Sequence, residues 1–406
     1  MNSSVSIPKG TTVTLDIVNG DLEIGRHVTV KGTGSPPKVN VQGIVYAEGH
    51  NTFECALSAK ELDAEDSVTI NGDLQIENDV EVEDGHLTVY GKMTARDIDV
   101  DEAIYVSKDL TAGEVAAGGS LKVDGSTKVE SVEVGGTFFA TGDVFAESID
   151  VGGSLTIESK VDVKNLDVGG AARVGWGRIR EIDVGGTFES KGPLEFEDID
   201  VGGTIELHGK NKGGEIEVGG VLEVEGDFEF ENVEVGGKVE VKGTATGKDM
   251  EVGGSVDIEG SLKLTGTLEV GGRVDVSGEI SAESIEIGGV LRARKVTAEE
   301  NVEVGGSINT GEGVTAGSVD IGSRSTVQGL LRGEKIVVGR GAEVQNLYGK
   351  EIVLRSGATA ENVYGERVTI ESDCQIRGEL QYTSELRMED NVSLVRPPQK
   401  VSILAS

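Results

Sequence analysis

From residue 149 to 168 the chain reads Ile-Asp-Val-Gly-Gly-Ser-Leu-Thr-Ile-Glu-Ser-Lys-Val-Asp-Val-Lys-Asn-Leu-Asp-Val. Its apolar residues come in pairs split by one other residue: Ile149/Val151, Leu155/Ile157, Val161/Val163 and Leu166/Val168. A period of two within a pair puts both side chains on one face of a short strand. The pairs step by 6, 6 and 5 residues, so the pattern closes every 17. Three strands and three corners per repeat predict a triangular coil, and coils in series predict a solenoid in which each touches only its neighbours. Parallel connections within a sheet are overwhelmingly right-handed. The expected fold is all-β, a single right-handed three-sided parallel β-helix of about 17 residues per coil.

The same ladder describes Leu121/Val123, Thr127/Val129 and Val132/Val134, and extends from Leu57/Ala59 at one side to Val392/Leu394 at the other. A corner signal punctuates it, usually an acid, a β-branched residue and two glycines. The first glycine falls at 118, 135, 152, 169, 185, 202, 219, 236, 253, 271, 288, 305, 322 and 339. Glycine recurs there because the turn needs positive φ, or no Cβ in the way of the next coil. The predicted organisation is a tail at 1–11, irregular first coils at 12–67, and a regular acidic shaft at 68–321. Net-neutral coils follow at 322–395, then a tail at 396–406. Residues 31–53 keep the period poorly, so a bulge is expected there. After Pro397-Pro398 the chain is expected to leave the helix, since proline cannot donate to a ladder.

Composition sharpens this picture. Hydrophobic residues make up 37% of the 406, and aromatics 4%, a thin core rather than a bulky one. The formal charge is −35, which excludes a basic stripe for nucleic acid and disfavours anionic membrane surfaces. The start of the chain lacks the basic and apolar regions of a signal peptide, and no apolar run is long enough to span a membrane. No membrane insertion and a cytoplasmic address are therefore expected. Cys55 and Cys374 are 319 residues apart, about 90 Å in a straight rod, so two reduced thiols are expected instead of a bridge.

The paired apolar pattern with glycine at corners resembles the bactofilins. So do two coils in particular, Asn346-Leu-Tyr-Gly-Lys-Glu-Ile-Val-Leu354 and Asn362-Val-Tyr-Gly-Glu-Arg-Val-Thr-Ile370. The resemblance covers most of the chain and rests on periodicity. It implies a cytoskeletal scaffold that assembles end to end into filaments without nucleotide. This chain departs from typical members in its greater number of coils and in lacking a short apolar N-terminal anchor, so membrane attachment is not carried over.

Twelve consecutive coils carry an acid two residues before the first glycine: Glu133, Asp150, Asp167, Asp183, Asp200, Glu217, Glu234, Glu251, Glu269, Glu286, Glu303 and Asp320. Each lies between two inward residues and must point outward. The column reads either as a solvated face against lateral association or as a diffuse ladder for cations or a basic protein partner. A second column is Glu189, Glu206, Glu223, Glu240, Asp257 and Asp275. No fixed metal site, cofactor or catalytic residue is expected. His27, His50, His86 and His208 fall in unrelated coils, and the glycines match neither a calcium nonapeptide nor a phosphate loop. Coils of 17 leave no loops to wall a cleft, which argues against an enzyme such as a polysaccharide lyase. A hexapeptide acyltransferase would need 18-residue coils and a loop histidine. Trp176 reads as a surface residue, and Tyr348 and Tyr364 as an outward stack.

Residues 322–406 hold eleven Lys/Arg and eleven Asp/Glu, so residues 1–321 carry the whole −35. Two copies meet with least repulsion at the neutral end. The expected homopolymer contact therefore involves Leu380, Leu386, Met388, Val392 and Leu394. The competing expectation is a non-polymerising rod whose acidic face docks cations or basic partners.

Overall fold

The computed structural model describes residues 4–404, and the chain divides into two compact units, Met1–Gly202 and Gly203–Ser406. Each unit is a parallel β-solenoid, and among the described residues there is no helix; the chain holds about 23 turns of about 17 residues. In the first unit Ser131–Val134, Thr137–Ala140 and the start of Val144–Val151 form the three sides of one turn. Each lies parallel to its counterpart one turn on: Val132 beside Ile149, Phe138 beside Leu155, Val144 beside Val161. In the second unit Glu215–Val218, Val221–Glu225 and Phe228–Glu229 stack in the same way on Asn232–Val235, Lys238–Val241 and Ala245–Gly247. The side that precedes the Gly-Gly corner is the first face, and the other two follow in chain order.

Alternation sets the core. Val132 and Val134 are buried and Glu133 between them is exposed, a pattern that repeats through both units. Each inward aliphatic contributes about 1.5–3 kcal/mol on burial. Free Cys55 and Cys374 both lie in this core, and burial raises the Cys55 thiol to about 11.

Close approach, not left-handed backbone, explains the paired glycines. A Cβ on Gly152 would sit 2.6 Å from the Gly135 carbonyl oxygen, and one on Gly153 2.4 Å from that of Gly136. Neither glycine has positive φ. The first turns and the last turns use a different corner. There a residue in the left-handed region stands at Gly10, His27 and His50 in the first unit, and at Arg324, Gly341, Gly357, Asp373 and Asn391 in the second.

Three boundaries differ from the sequence reading. Val5–Ile7 is already a strand, paired in parallel with Leu22–Ile24, so the expected tail at 1–11 is part of the first turn; residues 1–3 lie outside the described residues. The alternating Val-Ser-Ile supplies two inward side chains and finds a free edge. At the other end Gln399–Lys400 pairs with Gln381–Tyr382, so the chain rejoins the solenoid after Pro397-Pro398, contrary to the expected departure at 396. The prolines occupy a corner, where no ladder N–H is missed; residues 405–406 lie outside the described residues. Finally, regular 17-residue register begins at His86, beside Ala103, and not at 68. Just before it the offset is 19 between Val68 and Leu87, and the turn at Asp84, which has positive φ, takes up the extra residues.

The expected bulge within 31–53 is there, and compact. Leu22 pairs with Val45, 23 residues on, and the excess is taken up before Lys38, where an antiparallel bridge from Thr33 to Lys38 closes a side turn.

Candidate interaction surfaces

The first face of each unit carries an outward column. In the first unit its register runs Ser6, Glu23, Tyr46, Asp63, Glu81, Asp99, Ala116, Glu133, Asp150, Asp167, Asp183, Asp200. In the second unit Glu217, Glu234, Glu251, Glu269, Glu286, Glu303 and Asp320 are in register, and Val337, Val353, Thr369 and Arg387 follow. All twelve acids read from sequence are exposed, and within each unit they are stacked as expected. The sequence reading stopped at Glu133 because Ala116 interrupts the acid run. Glu23, Asp63, Glu81 and Asp99 belong to the same column, and the signal for them was the identical place between two inward residues.

Charge on this column is uncompensated. Among the described residues none of the twelve acids forms an ion pair, although the chain has many elsewhere, such as Lys164–Glu147 at 2.5 Å and Lys248–Asp249 at 2.8 Å. The Asp167 carboxyl is held above its ordinary value, first by partial desolvation and then by Asp150 and Asp183 on either side. Glu81 is raised in the same way, by desolvation and then by Asp63, Glu83, Asp99 and Asp101. Around Glu234, Glu251 and Glu269 the face forms a shallow groove walled by Asn232, Asp249 and Thr267.

The second face differs. Glu206, Glu223, Glu240, Asp257 and Asp275 are in register as expected, but nitrogen-bearing side chains interleave: His208–Glu206 at 3.1 Å, Lys238–Glu240 at 2.5 Å and Arg292–Asp275 at 3.4 Å. In the first unit Arg173 meets Glu189 at 2.6 Å. The acidic column of the first face is thus set apart by its lack of partners and not by its carboxylates alone.

Among the described residues no group of three His, Cys, Asp or Glu side chains is placed to hold a metal ion. The histidines are less scattered than their numbering suggests. His27 and His50 stack on adjacent turns, with ring centroids 5.1 Å apart. The side turn before Lys38 hid this by adding residues between them. Tyr348 and Tyr364 stack outward, centroids 6.0 Å apart, with the Arg332 guanidinium over the Tyr348 ring at 4.8 Å. Trp176 is half exposed on the surface.

Both terminal turns leave the inward side chains incompletely covered. In the last turn Leu386, Val392 and Leu394 are half-buried and Met388 is 44% exposed, whereas Val368, Cys374 and Ile376 one turn earlier are buried. Leu380 does not belong with them: it is 1% exposed, because the Gln399–Lys400 strand closes the turn beside it. Beyond that strand Ser402, Ile403 and Leu404 turn back to line a groove with Arg332, Tyr348 and Lys350, away from the edge at Glu385–Met388. In the first turn Val5, Ile7, Val13 and Leu15 are half-buried and Ile17 is 58% exposed. This apolar edge was missed because Pro8-Lys9-Gly10 reads as a tail. Among the described residues no strand pairs with the outer edge of either turn.

No helix is long and apolar enough to cross a membrane among the described residues. Comparison of the chain with protein-family models, with curated proteins and with solved structures found no match in any of the three.

Proposed function

We propose that this chain is a structural, polymer-forming protein of the bactofilin kind, acting in the cytoplasm as a scaffold and assembling through its terminal turns without nucleotide. The observation that carries this reading is the pair of unfinished ends. Each presents unpaired strand backbone and half-covered apolar side chains, Val5, Ile7 and Val13 at one and Leu386, Val392 and Leu394 at the other. A solenoid end of this kind must be capped or joined, since open backbone and core invite pairing. The uncompensated acidic column opposes side-by-side packing and directs association to the ends. Electron microscopy of the purified protein over a range of concentration and salt tests it, with and without added nucleotide. Filaments in every case are the expected result; a monomer at all concentrations ends the reading.

The unpaired carboxylates favour a second reading, a binding scaffold whose first face docks cations or a basic protein. Divalent cations would then raise the melting temperature at concentrations where monovalent salt of equal ionic strength does not. Equal responses would reduce the column to a solubilising face.

A further inference from the structure

Outward aromatic rings in this chain draw their cations from the adjacent turn. Lys122 Nζ stands over the Tyr105 ring at 5.2 Å and the Phe139 ring at 5.9 Å, and it is the in-register neighbour of both. Tyr348 takes the Arg332 guanidinium in the same way, and Tyr382 takes Lys400 at 6.0 Å, again from register partners. Tyr90 meets Tyr105 edge-on at 5.9 Å, and Tyr364 packs on Tyr348. That leaves Tyr46, the sixth tyrosine of the chain. It is 40% exposed, and among the described residues its ring has neither an aromatic nor a cationic partner. Its register neighbours are Glu23 and Asp63, so carboxylates hold the places from which a cation comes elsewhere.

Tyr46 lines a groove of about 660 Å³ in the first unit. Beside its own column runs a second, Pro8, Gly25, Glu48 and Glu65, each following an inward member of the register. Gly25 opens the floor there. The other three carry side chains, whereas a Cβ on Gly25 would lie 2.7 Å from the Lys9 backbone nitrogen. Ile7, Ile24 and Ala47 add apolar lining. The charges are Glu23, Glu48, Asp63 and Glu65 against Lys9 alone, and among the described residues none of these five is ion-paired.

We infer that this groove seats an arginine side chain from an extended basic segment of a partner protein. This rests on the reading of the first face as a docking surface, and it names the place and the group docked. A planar guanidinium lies flat on a tyrosine ring and still turns two N–H donors to a carboxylate. A lysine ammonium is a compact, strongly hydrated point charge and cannot fork in this way. Glu23 and Asp63 lie about 4.8 Å to either side of Tyr46 along the stack, within reach of that fork. The chain makes the same pairing for itself at Tyr348, where the Arg332 guanidinium is 4.8 Å from the ring centroid.

Fluorescence anisotropy on the full chain, with a labelled tetra-arginine peptide and a tetra-lysine peptide of equal charge at physiological salt, tests this. Wild type is expected to bind the arginine peptide more tightly. Tyr46→Ala should weaken that binding about fivefold, while Tyr46→Phe keeps it because the ring face remains. Asp63→Asn should weaken it too. Tyr90→Ala, at an exposed ring outside the groove, should bind like wild type. All four positions point outward, and an unchanged circular dichroism spectrum verifies the fold of each variant. Wild-type affinity in Tyr46→Ala, or an equal loss in Tyr90→Ala, overturns the Tyr46 site and leaves the docking face standing. Equal affinity of wild type for the two peptides overturns the choice of arginine. If neither peptide binds wild type, the docking reading falls and this inference falls with it.

Discussion

Asp150 and Asp167 are in-register neighbours on adjacent turns of the first face, both exposed and neither paired with a cation. Their repulsion is screened by water to about 1 kcal/mol or less. Asp167 has a second such neighbour in Asp183, and its carboxyl is accordingly raised by desolvation and by both flanking acids.

The consequence for stability follows from the sign of that shift. A carboxyl raised in the folded state binds its proton more tightly there than in the unfolded chain, so its ionisation opposes folding. Asp167→Asn is therefore expected to stabilise the protein at neutral pH by a few tenths to about 1 kcal/mol. The gain should vanish as pH falls below the ordinary aspartate value. Asp249 behaves oppositely, since Lys248 first, and then the Thr267 N–H at 2.7 Å, lower it. Asp249→Asn should destabilise above the ordinary aspartate value and lose its effect as pH falls through the lowered one. Denaturant unfolding of both variants against wild type, at neutral and acid pH, measures the pair.

The two kinds of glycine corner separate under substitution. A Cβ at Gly153 meets a carbonyl oxygen at 2.4 Å, and backbone must move, so Gly153→Ala is expected to destabilise by about 1–3 kcal/mol. Gly341 has φ of 64° and only the Arg324 side chain nearby, at 3.6 Å. The equivalent residue one turn back is Arg324 and two turns on is Asp373, both left-handed. Gly341→Asn should be nearly silent, because asparagine tolerates that conformation. Thermal melts of the two variants provide the comparison.

Inside the first unit Thr127 sits fully buried in an inward column between Leu110 and Val144, and its hydroxyl has no hydrogen-bond partner. Replacing that hydroxyl by a methyl keeps the volume and removes a desolvated polar group. Thr127→Val is expected to stabilise by about 1 kcal/mol, read as a shift in denaturation midpoint at unchanged slope.

Strand pairing was legible in the sequence because burial on one side imposes a period of two, as at Val132-Glu133-Val134. The outward column was legible for the same reason. Its lack of ion pairs was not, since that depends on which lysines and arginines reach across turns: Lys164 meets Glu147 and not Asp150 or Asp167. Left-handed corners were hidden wherever no glycine marks them. Arg324, Asp373 and Asn391 adopt the conformation that Gly341 and Gly357 adopt; Asp and Asn tolerate it, but the many aspartates in strands and other corners dilute that signal, and Arg324 carries none. The His27–His50 stack was lost to a local insertion, which shifts numbering without disturbing the columns on either side.

The last expectation joins core and assembly. Val235 and Ile258 are fully buried, so Val235→Asp or Ile258→Asp leaves an unpaired charge in the core and should abolish cooperative folding. Thr156 lies outward between Phe139 and Arg173, half-buried, and Thr156→Asp should change stability little. Leu386 and Val392 occupy inward positions too, but the turn that would cover them is missing among the described residues. A carboxylate there keeps contact with water, so Leu386→Glu and Val392→Glu should leave the circular dichroism spectrum intact. In a filament joined through the terminal turns the same carboxylate would be buried against the neighbouring copy, at a cost of several kcal/mol. Both variants should therefore sediment as dispersed protein where wild type pellets. Val13→Glu should do the same from the opposite end. Variants that fold and still polymerise like wild type would place the contact elsewhere than the terminal turns.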